Sequence, residues 1–370
     1  MIFCFTILQK FEQICNFSTQ KSLKCALDFA APEKNCNFDR IYLPKLHHTR
    51  LAMNNNTLRF EIIKCHGSGN DFIMIDTTCN PDLQQVDWSA FARVACDRAK
   101  GIGSDGLLLV VRNAEGIYGM DMLNPDGTHA EMCGNGMRCV ARLAYERGYL
   151  DSGKLFSSDR IFRIGREEPL AEGVDTFSVE ISISTWSSSF GFFAPTESFV
   201  DKKIEALDAN LRFTALNLGN PHIVAQVDSI DMELLESLGE RVKSLKEHFP
   251  YGVNVSLYEV RSEHEIFVAT YERGVGITLS CGTAMTASAT AAALMGRTAP
   301  EERVNVLNRG GKVFCTTRIS GSEIITTLAG NATFEWWGSA SFDGEQMEHS
   351  VERTTGEDRL WSAFVDSINR

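Results

Sequence analysis

A short pattern occurs twice in this chain, once in each half. It reads Cys133-Gly-Asn-Gly-Met137 in the first half and Cys281-Gly-Thr-Ala-Met285 in the second. Each copy follows a strand-like segment and a turn, and each opens a segment in which apolar residues recur with helical spacing. The repetition predicts two similar halves related by a pseudo-twofold axis, with a site between them.

The spacing of apolar residues elsewhere predicts a mixed α/β chain. Strands are predicted at 60–63, 72–75, 107–111, 120–123, 177–183, 213–217, 223–227, 253–260, 266–271, 304–307 and 311–317. Helices are predicted at 88–100, 133–145, 232–246 and 281–295.

The two ends of the chain lack such a pattern. Residues 1–57 contain four cysteines and asparagine-rich patches, and we treat them as an N-terminal extension of unknown order. Met53 stands just before the first predicted strand, so a true start at Met53 is one hypothesis for this extension. Residues 345–370 are polar apart from one short apolar patch, and are predicted to be a tail without an assigned role.

Charge and cysteine content narrow the class of protein. The 36 Lys and Arg residues against 48 Asp and Glu give a net charge of −12, which argues against nucleic-acid binding and polybasic membrane attachment. No run approaches the roughly 18 apolar residues of a membrane span, and the first eight residues lack the basic region of a secretory signal. The odd count of 11 cysteines, without a Cys-x-x-Cys pair, predicts free thiols in a reducing cytoplasm.

A cysteine at a helix N-terminus has chemical consequences. The unpaired backbone N–H groups there carry a positive partial charge, which lowers a thiol pKa and attracts a carboxylate. Gly134 and Gly282 let a ligand approach that backbone closely. Two such sites facing each other would hold one carboxylate with a sulfur on each side of its α-carbon. Cys133 and Cys281 are therefore candidates for removing a proton from one face and delivering one to the other.

Other interpretations of the cysteines remain. Most buried cysteines act as small hydrophobic residues, and Cys96, Cys139 and Cys315 fit that role. A metal site is not expected, because no Cys and His set has the spacing of zinc ligands. The matched glycine-rich contexts favour the catalytic interpretation for Cys133 and Cys281.

Five segments together resemble the diaminopimelate epimerase family, from about Phe60 to about Asp343. They are His66-Gly-Ser-Gly-Asn-Asp-Phe72; Gly101-Ile-Gly-Ser-Asp-Gly106; Asn124-Pro-Asp-Gly127 with the segment 131–139; Gly219-Asn-Pro-His222; and Tyr271-Glu-Arg-Gly-Val-Gly276 with Ser280-Cys-Gly-Thr283. The resemblance implies an isomerase that interconverts LL- and meso-diaminopimelate, in lysine and peptidoglycan precursor biosynthesis, without a cofactor or metal. The substrate would be this small amino acid.

The resemblance also implies residue roles. Cys133 and Cys281 match the two catalytic acid/base residues. Asn70 matches a residue at the reacting end of the substrate, and the remaining matches are a carboxylate cradle (Gly134, Asn135, Gly282, Thr283), a set for the distal end of the substrate (Asn124, Asn220, Asn254, Arg273) and polar groups beside the thiols (His222, Glu272). An arginine pairs well with a carboxylate, and asparagine both donates and accepts, which suits a zwitterionic substrate end.

The implied fold is α/β (α+β), with two halves that each wrap a β-barrel-like sheet round a central helix, and the active site in the cleft. The expected division is 58–152 plus 328–344 for the half with Cys133, and 153–327 for the half with Cys281. A final strand around Ala329–Trp336 would return to the first half. Ala284 stands where the family usually has glycine, and Gly106 stands where many members have glutamine and others glycine. The region 160–194 looks unlike typical members.

Alternative functions follow from the same motifs. One is a racemase of this fold that acts on proline, hydroxyproline or histidine. Another is a non-catalytic binding protein, which would be expected to lack one of the two cysteines. A homodimer is a further expectation of the resemblance.

Overall fold

The computed structural model describes residues 58–130, 132–150 and 153–368. The predicted extension at 1–57 and the hypothesis of a start at Met53 lie outside these residues. Within the described ranges no helix is both long enough and apolar enough to cross a membrane.

The described residues are mostly strand, arranged around two buried helices. The strands are β1 (Leu58–Gly67), β2 (Asn70–Asp76), β3 (Gly106–Arg112), β4 (Tyr118–Leu123), β5 (His129–Ala130), β6 (Lys154–Ser157), β7 (Arg160–Glu167), β8 (Thr176–Ile183), β9 (Lys202–Ile204), β10 (Asp208–Asn217), β11 (Pro221–Gln226), β12 (Asn254–Ser262), β13 (Glu265–Glu272), β14 (Gly276–Thr278), β15 (Arg303–Asn308), β16 (Gly311–Ser320), β17 (Glu323–Asn331), β18 (Thr333–Phe342) and β19 (Met347–Thr354). The helices are α1 (Trp88–Ala95), α2 (Gly134–Glu146), α3 (Met232–Ser244), α4 (Gly282–Leu294) and α5 (Glu357–Ile368), with a short 3-10 helix at Pro81–Gln85.

The strands form two connected sheets, one for each half. In the first half the order is β19-β18-β1-β2-β3-β4-β6, with α2 packed against the inner face. In the second half the order is β10-β11-β12-β13-β15-β16-β17-β8, and these strands surround α4. Most neighbouring strands are antiparallel, and the pairs β2–β3, β4–β6, β11–β12 and β13–β15 are parallel.

Alternation along the strands explains why each sheet carries a helix on both faces. Ile63 and Cys65 of β1 face the core around α2, whereas Ile62 packs into a separate cluster with α1. On β12, Tyr258 belongs to the central core, and Leu257 to a cluster with α3. Because successive side chains of a strand point to opposite faces, each sheet is buried on both sides.

The two central helices begin at the repeated cysteines. Cys133 has extended backbone geometry, and its Sγ accepts a hydrogen bond from the N–H of Gly136 at 3.4 Å, so it caps α2. Cys281 occupies the same position before α4, without a side-chain cap. The first 12 residues of α4 are all buried, which requires small side chains. Its hydroxyls bond internally: Thr286 donates to the carbonyl of Gly282 and Thr290 to that of Thr286, each at 2.8 Å.

The chain passes between the sheets at two places. Residues 160–163 of β7 pair with β6, and residues 164–167 pair with β8. On the return, Ala332 separates β17, which pairs with β8, from β18, which pairs with β1. We therefore propose that the two halves divide within β7 and at Ala332, close to the expected positions 153 and 328.

Three sequence-based predictions are corrected by the structure. The helix expected over 88–100 ends at Ala95, before a turn. The expected strand Ala329–Trp336 is the junction of two strands, because the chain changes sheet at Ala332. The segment 345–370, expected as a polar tail without regular structure, contains β19, on the edge of the first sheet, and α5, whose Trp361 is only 4% exposed.

Candidate active site

The first turns of α2 and α4 lie close together. A side chain added at Gly282 would come within 2.9 Å of Asn135 Oδ1 and 3.4 Å of Leu328 Cδ2. One added at Gly134 would meet the same Leu328 atom at 3.2 Å. Glycine at both positions therefore lets the two helix ends converge on one point of the sheet.

A cavity of about 1050 Å³ is lined by both helix ends. Nine of the predicted site residues line it: Asn70, Asn124, Cys133, Gly134, Asn135, Glu272, Cys281, Gly282 and Thr283. The other four, Asn220, His222, Asn254 and Arg273, are not among its lining residues. Most of the residues predicted to bind the reacting end of a substrate thus share one cavity with both thiols.

Hydrogen bonds hold Cys133 on the first half. Its thiol donates to Asn70 Oδ1 at 3.7 Å, and Asn135 Nδ2 donates to the same oxygen at 3.3 Å. Asn70 is held in turn by Asp105, which accepts from its amide nitrogen at 2.6 Å. Burial raises the pKa of Cys133 to about 11, although hydrogen bonds from the N–H groups of Gly136 and Asn135 oppose the rise.

Cys281 lies in a more negative environment. It is 8% exposed, and its Sγ lies 3.4 Å from Thr283 Oγ1. Burial raises its pKa well above the usual value, and the neighbouring Glu272 carboxylate raises it further. Burial also raises the pKa of Glu272, which accepts a hydrogen bond from Thr278 Oγ1 at 2.5 Å.

The expectation that both thiol pKa values are lowered is therefore wrong, because both are raised. The helix N-termini do act in the predicted direction, through backbone N–H groups at both sulfurs. Loss of solvent around each sulfur outweighs them, because burial penalises the charged thiolate. Both cysteines are consequently thiols at neutral pH.

The four predicted residues outside the cavity form a hydrogen-bonded chain behind it. Asn220 Nδ2 donates to Thr283 Oγ1 at 3.2 Å, and its Oδ1 lies 3.0 Å from His222 Nε2. Asn254 Nδ2 lies 3.5 Å from the same ring nitrogen, and its Oδ1 accepts from the backbone N–H of Arg273 at 2.8 Å. Burial, with the charge of Arg273, lowers the pKa of His222 to about 3, so its imidazole is neutral.

The side chain of Arg273 points elsewhere. Its guanidinium donates to the carbonyl of Tyr251 at 2.8 Å and lines a separate cavity of about 150 Å³. The structure therefore brings the backbone of Arg273 to the predicted set and leaves its charged group exposed.

One supporting residue was not singled out in the sequence. Arg138 is fully buried on α2 and donates to Gly134 O at 3.3 Å, Asn135 Oδ1 at 3.0 Å and Ser68 Oγ at 3.0 Å. Its positive charge lowers the pKa of Cys133. The signal was its place in the Cys133–Cys139 motif, one turn after Gly134, where a buried arginine can hold the first turn of the helix.

The described geometry can be compared with known proteins. The sequence model for diaminopimelate epimerase matches residues 62–156 and 214–335. The protein named diaminopimelate epimerase in Clostridium acetobutylicum is 37% identical over 294 residues, which cover 79% of this chain and 88% of that protein. The chain belongs to the diaminopimelate epimerase family. Relatives with the same name are 35% identical in Listeria monocytogenes (82% and 95% covered) and 34% in Ligilactobacillus salivarius (84% and 100%).

Solved structures at low identity share the fold of this diaminopimelate epimerase family member. A methylitaconate-delta-isomerase aligns with a TM-score of 0.57 at 10% identity, covering 78% of this chain and 97% of that one. A hydroxyproline epimerase from Agrobacterium vitis aligns with a TM-score of 0.53 at 14% identity, covering 78% and 92%. The predicted fold class is confirmed.

One departure from the family pattern has a structural account. Ala284, where the resemblance leads us to expect glycine, is fully buried in the first turn of α4. Its backbone N–H faces the Cys281 thiol and lowers the pKa of that group. Because this interaction uses the main chain, a methyl side chain leaves it in place.

Proposed function

We propose that this chain interconverts LL- and meso-diaminopimelate by proton transfer between Cys133, the substrate α-carbon and Cys281. The family membership supports an amino-acid isomerase. The observation that carries the proposed mechanism is the cavity shared by two cysteines, each at the start of a central helix whose glycine-led first turn meets the other. This arrangement is suited to chemistry on the two faces of one carbon.

The reacting carboxylate would be bound by the first turns of α2 and α4. Backbone N–H groups at the two helix N-termini stabilise the charge that develops on the carboxylate as the proton leaves. One cysteine, as thiolate, takes the α-proton, and the electron pair of the broken C–H bond spreads into the carboxylate. The other, as thiol, donates a proton to the opposite face. The two sulfurs end with exchanged protonation states, and nothing is oxidised or reduced.

Because burial raises the pKa of both thiols, the substrate has to favour the thiolate that starts the reaction. A substrate α-ammonium placed between the sulfurs favours the charged form of either one. Glu272 lies beside Cys281, and burial raises the pKa of its carboxyl, so this group is placed to accept the proton of Cys281. The pair of thiols then titrates as one coupled unit.

The distal end of the substrate is assigned to Asn124, Asn220, Asn254 and Arg273. Asn124 already lines the cavity. The backbone N–H of Arg273 is fixed by Asn254, and its guanidinium would leave the Tyr251 carbonyl to pair with the distal carboxylate. Closure of the halves around the substrate would bring the remaining groups into contact with it.

We further propose that the protein is a homodimer of the cytoplasm, acting in lysine and peptidoglycan precursor biosynthesis. The reducing compartment is required by the chemistry, since a disulfide between Cys133 and Cys281 would remove both proton carriers. Sedimentation velocity of the full chain checks the dimer.

The test of the function follows proton exchange directly. Reduced protein is incubated with LL-diaminopimelate in deuterated water, and deuterium at the α-carbon and the LL-to-meso ratio are measured together. We expect deuterium uptake with conversion to the meso form. Cys133→Ala and Cys281→Ala should each lower the rate at least about 1000-fold, the scale of losing an essential acid or base.

Cys79→Ser is the matched control, because Cys79 is an exposed cysteine outside the cavity, and this variant should keep the wild-type rate. Absence of exchange with diaminopimelate, together with exchange of proline, hydroxyproline or histidine, would show that the substrate assignment is wrong. Wild-type turnover in the Cys281→Ala variant would contradict the two-thiol mechanism.

A further inference from the structure

The helix α5 contributes to the wall of the catalytic cavity. Trp361, Ser362, Val365 and Asp366 line the same cavity as Cys133 and Cys281. The helix lies beyond residue 335, where the match to the family model ends. None of the residues assigned to the reaction comes from this segment.

One end of α5 is anchored to the first half. Glu357 receives two hydrogen bonds from the guanidinium of Arg142, at 2.5 and 2.8 Å, and a third from the backbone N–H of Phe334 at 3.0 Å. Arg142 is 6% exposed and lies on α2, the helix that Cys133 caps. A bidentate pair between a buried arginine and a half-buried carboxylate has a fixed geometry. This anchor therefore holds the start of α5 at a set position against the catalytic helix.

The next turn of α5 contacts the loop that leads to Asn70. His66 Nε2 lies 3.5 Å from Asp358 Oδ1, and the rings of His66 and Trp361 are 5.8 Å apart. After His66, β1 ends at Gly67 and the turn 68–69 leads to Asn70, which accepts the hydrogen bond of the Cys133 thiol. Four residues of chain thus separate the contact with α5 from the partner of Cys133.

The same turn also contacts the second half. A side chain added at Gly311 would come within 2.7 Å of the Trp361 ring and 3.5 Å of Val365, so the indole lies directly on this glycine. The preceding Gly310 donates its N–H to the carbonyl of Leu279 at 3.0 Å. Asn308 Nδ2 donates to Ser280 Oγ at 2.9 Å, and Ser280 adjoins Cys281. The loop under Trp361 therefore supports the segment that carries the second thiol.

We propose that Trp361 is a positioning residue: by packing on both loops, α5 fixes the separation of Cys133 and Cys281. The two loops approach each other beside it, since a side chain added at Gly69 would lie 4.0 Å from the carbonyl of Gly310. A rigid aromatic side chain across that junction limits how far the halves can separate. The catalytic consequence depends on the proposed function, whereas the effect on the thiols does not.

The test uses the full chain with Trp361→Ala, Trp361→Phe and Glu357→Gln. Arg359→Ala is the control, because Arg359 is exposed on the same helix and does not line the cavity. Two quantities are measured: the alkylation rates of Cys133 and Cys281 by iodoacetamide, resolved by peptide mass, and kcat and KM for LL-diaminopimelate.

We expect Trp361→Ala to raise alkylation of both thiols about fivefold and to lower kcat about tenfold, with KM changed less than about threefold, since small misplacement of reacting groups costs rate. Trp361→Phe should bring the alkylation rates and kcat most of the way back to the wild-type values, and Arg359→Ala should match the wild type. Glu357→Gln weakens only the anchor, so its alkylation rates and kcat should lie between those of Trp361→Ala and those of the wild type. These variants stay informative if Trp361→Ala does not fold.

Wild-type alkylation rates in Trp361→Ala or, if that variant does not fold, in Glu357→Gln would overturn the proposal. A rise in KM that accounts for the whole loss of kcat/KM would also overturn it, because it would make Trp361 a substrate contact. If the wild type does not epimerise diaminopimelate, the proposed function fails, and the alkylation rates alone decide the role of α5.

Discussion

The two central helices use the same backbone arrangement in opposite electrostatic surroundings. Cys133 caps its helix and lies near the buried cation Arg138, which lowers the pKa of the thiol. Cys281 makes no side-chain cap and lies beside Glu272, which raises the pKa of its thiol. Of the two thiols, Cys133 is therefore favoured to lose its proton first, although the sequence motifs are nearly equivalent. A pseudo-symmetric fold can in this way hold two chemically different acids.

The largest effect that would sharpen this comparison is expected at Arg138. Arg138→Met removes the donors to Gly134 O and Asn331 O, both buried, and should lower the free energy of unfolding by about 3 kcal/mol. It should also slow alkylation of Cys133 at pH 8 relative to Cys281, because the nearby positive charge is lost. Urea unfolding and peptide-resolved alkylation measure the two effects.

Arg163→Met is the control for that change, because the side chain of Arg163 is 74% exposed. An unfolding free energy within about 0.5 kcal/mol of the wild type in Arg138→Met would mean that the buried cation does not hold the first turn of α2.

A second difference lies in the acid behaviour of the half with Cys281. His222 is buried with a pKa near 3, whereas an unfolded histidine titrates near 6.5. Below about pH 6.5 the unfolded chain binds a proton that the folded chain does not, so stability falls as the pH falls towards 3. The loss between pH 7 and pH 5 should be about 2 kcal/mol.

His222→Gln should remove this part of the pH dependence, which urea unfolding at each pH will measure. His264→Gln, at an exposed histidine, should retain it. Equal slopes for the wild type and His222→Gln between pH 7 and pH 5 would contradict the assignment.

The smallest effect is expected at Glu272. Glu272→Gln removes the carboxylate that raises the pKa of Cys281, so alkylation of Cys281 at pH 8 should accelerate at least about threefold, with Cys133 unchanged. Glu265→Gln, at the other end of β13, is the matched control. Slower or unchanged alkylation of Cys281 would show that Glu272 is not the source of the pKa difference between the two thiols.

The sequence predicted the features that depend on local pattern. The repeated Cys-Gly-x-x-Met pattern predicted helices from 133 and from 281, and the structure begins both helices one residue later. The lowered thiol pKa values were predicted wrongly, because burial is a property of the whole fold. The helix α5 was also missed, although Leu360, Trp361, Phe364 and Val365 have helical spacing. Its anchor, Arg142, lies more than 200 residues earlier.

The residue-level roles of the site stay predictions, and the structure adds a distinction among them. The residues of the carboxylate cradle were adjacent to the cysteines in sequence and share the cavity. The distal set depends on Arg273, whose long side chain can adopt several positions, and no sequence pattern fixes which one it takes without a ligand.

The pairing of β1 with β18 has a consequence for synthesis of the protein. Arg59 and Ser339 are hydrogen-bonded across this pair and lie 280 residues apart in the chain. As the ribosome releases the polypeptide from its N-terminus, β1 emerges long before its partner exists. The second half, from β8 to β17, can assemble while the first half waits with an open sheet edge. Such long-range closure slows folding and exposes that edge to aggregation, so this protein should depend on chaperones early in its life.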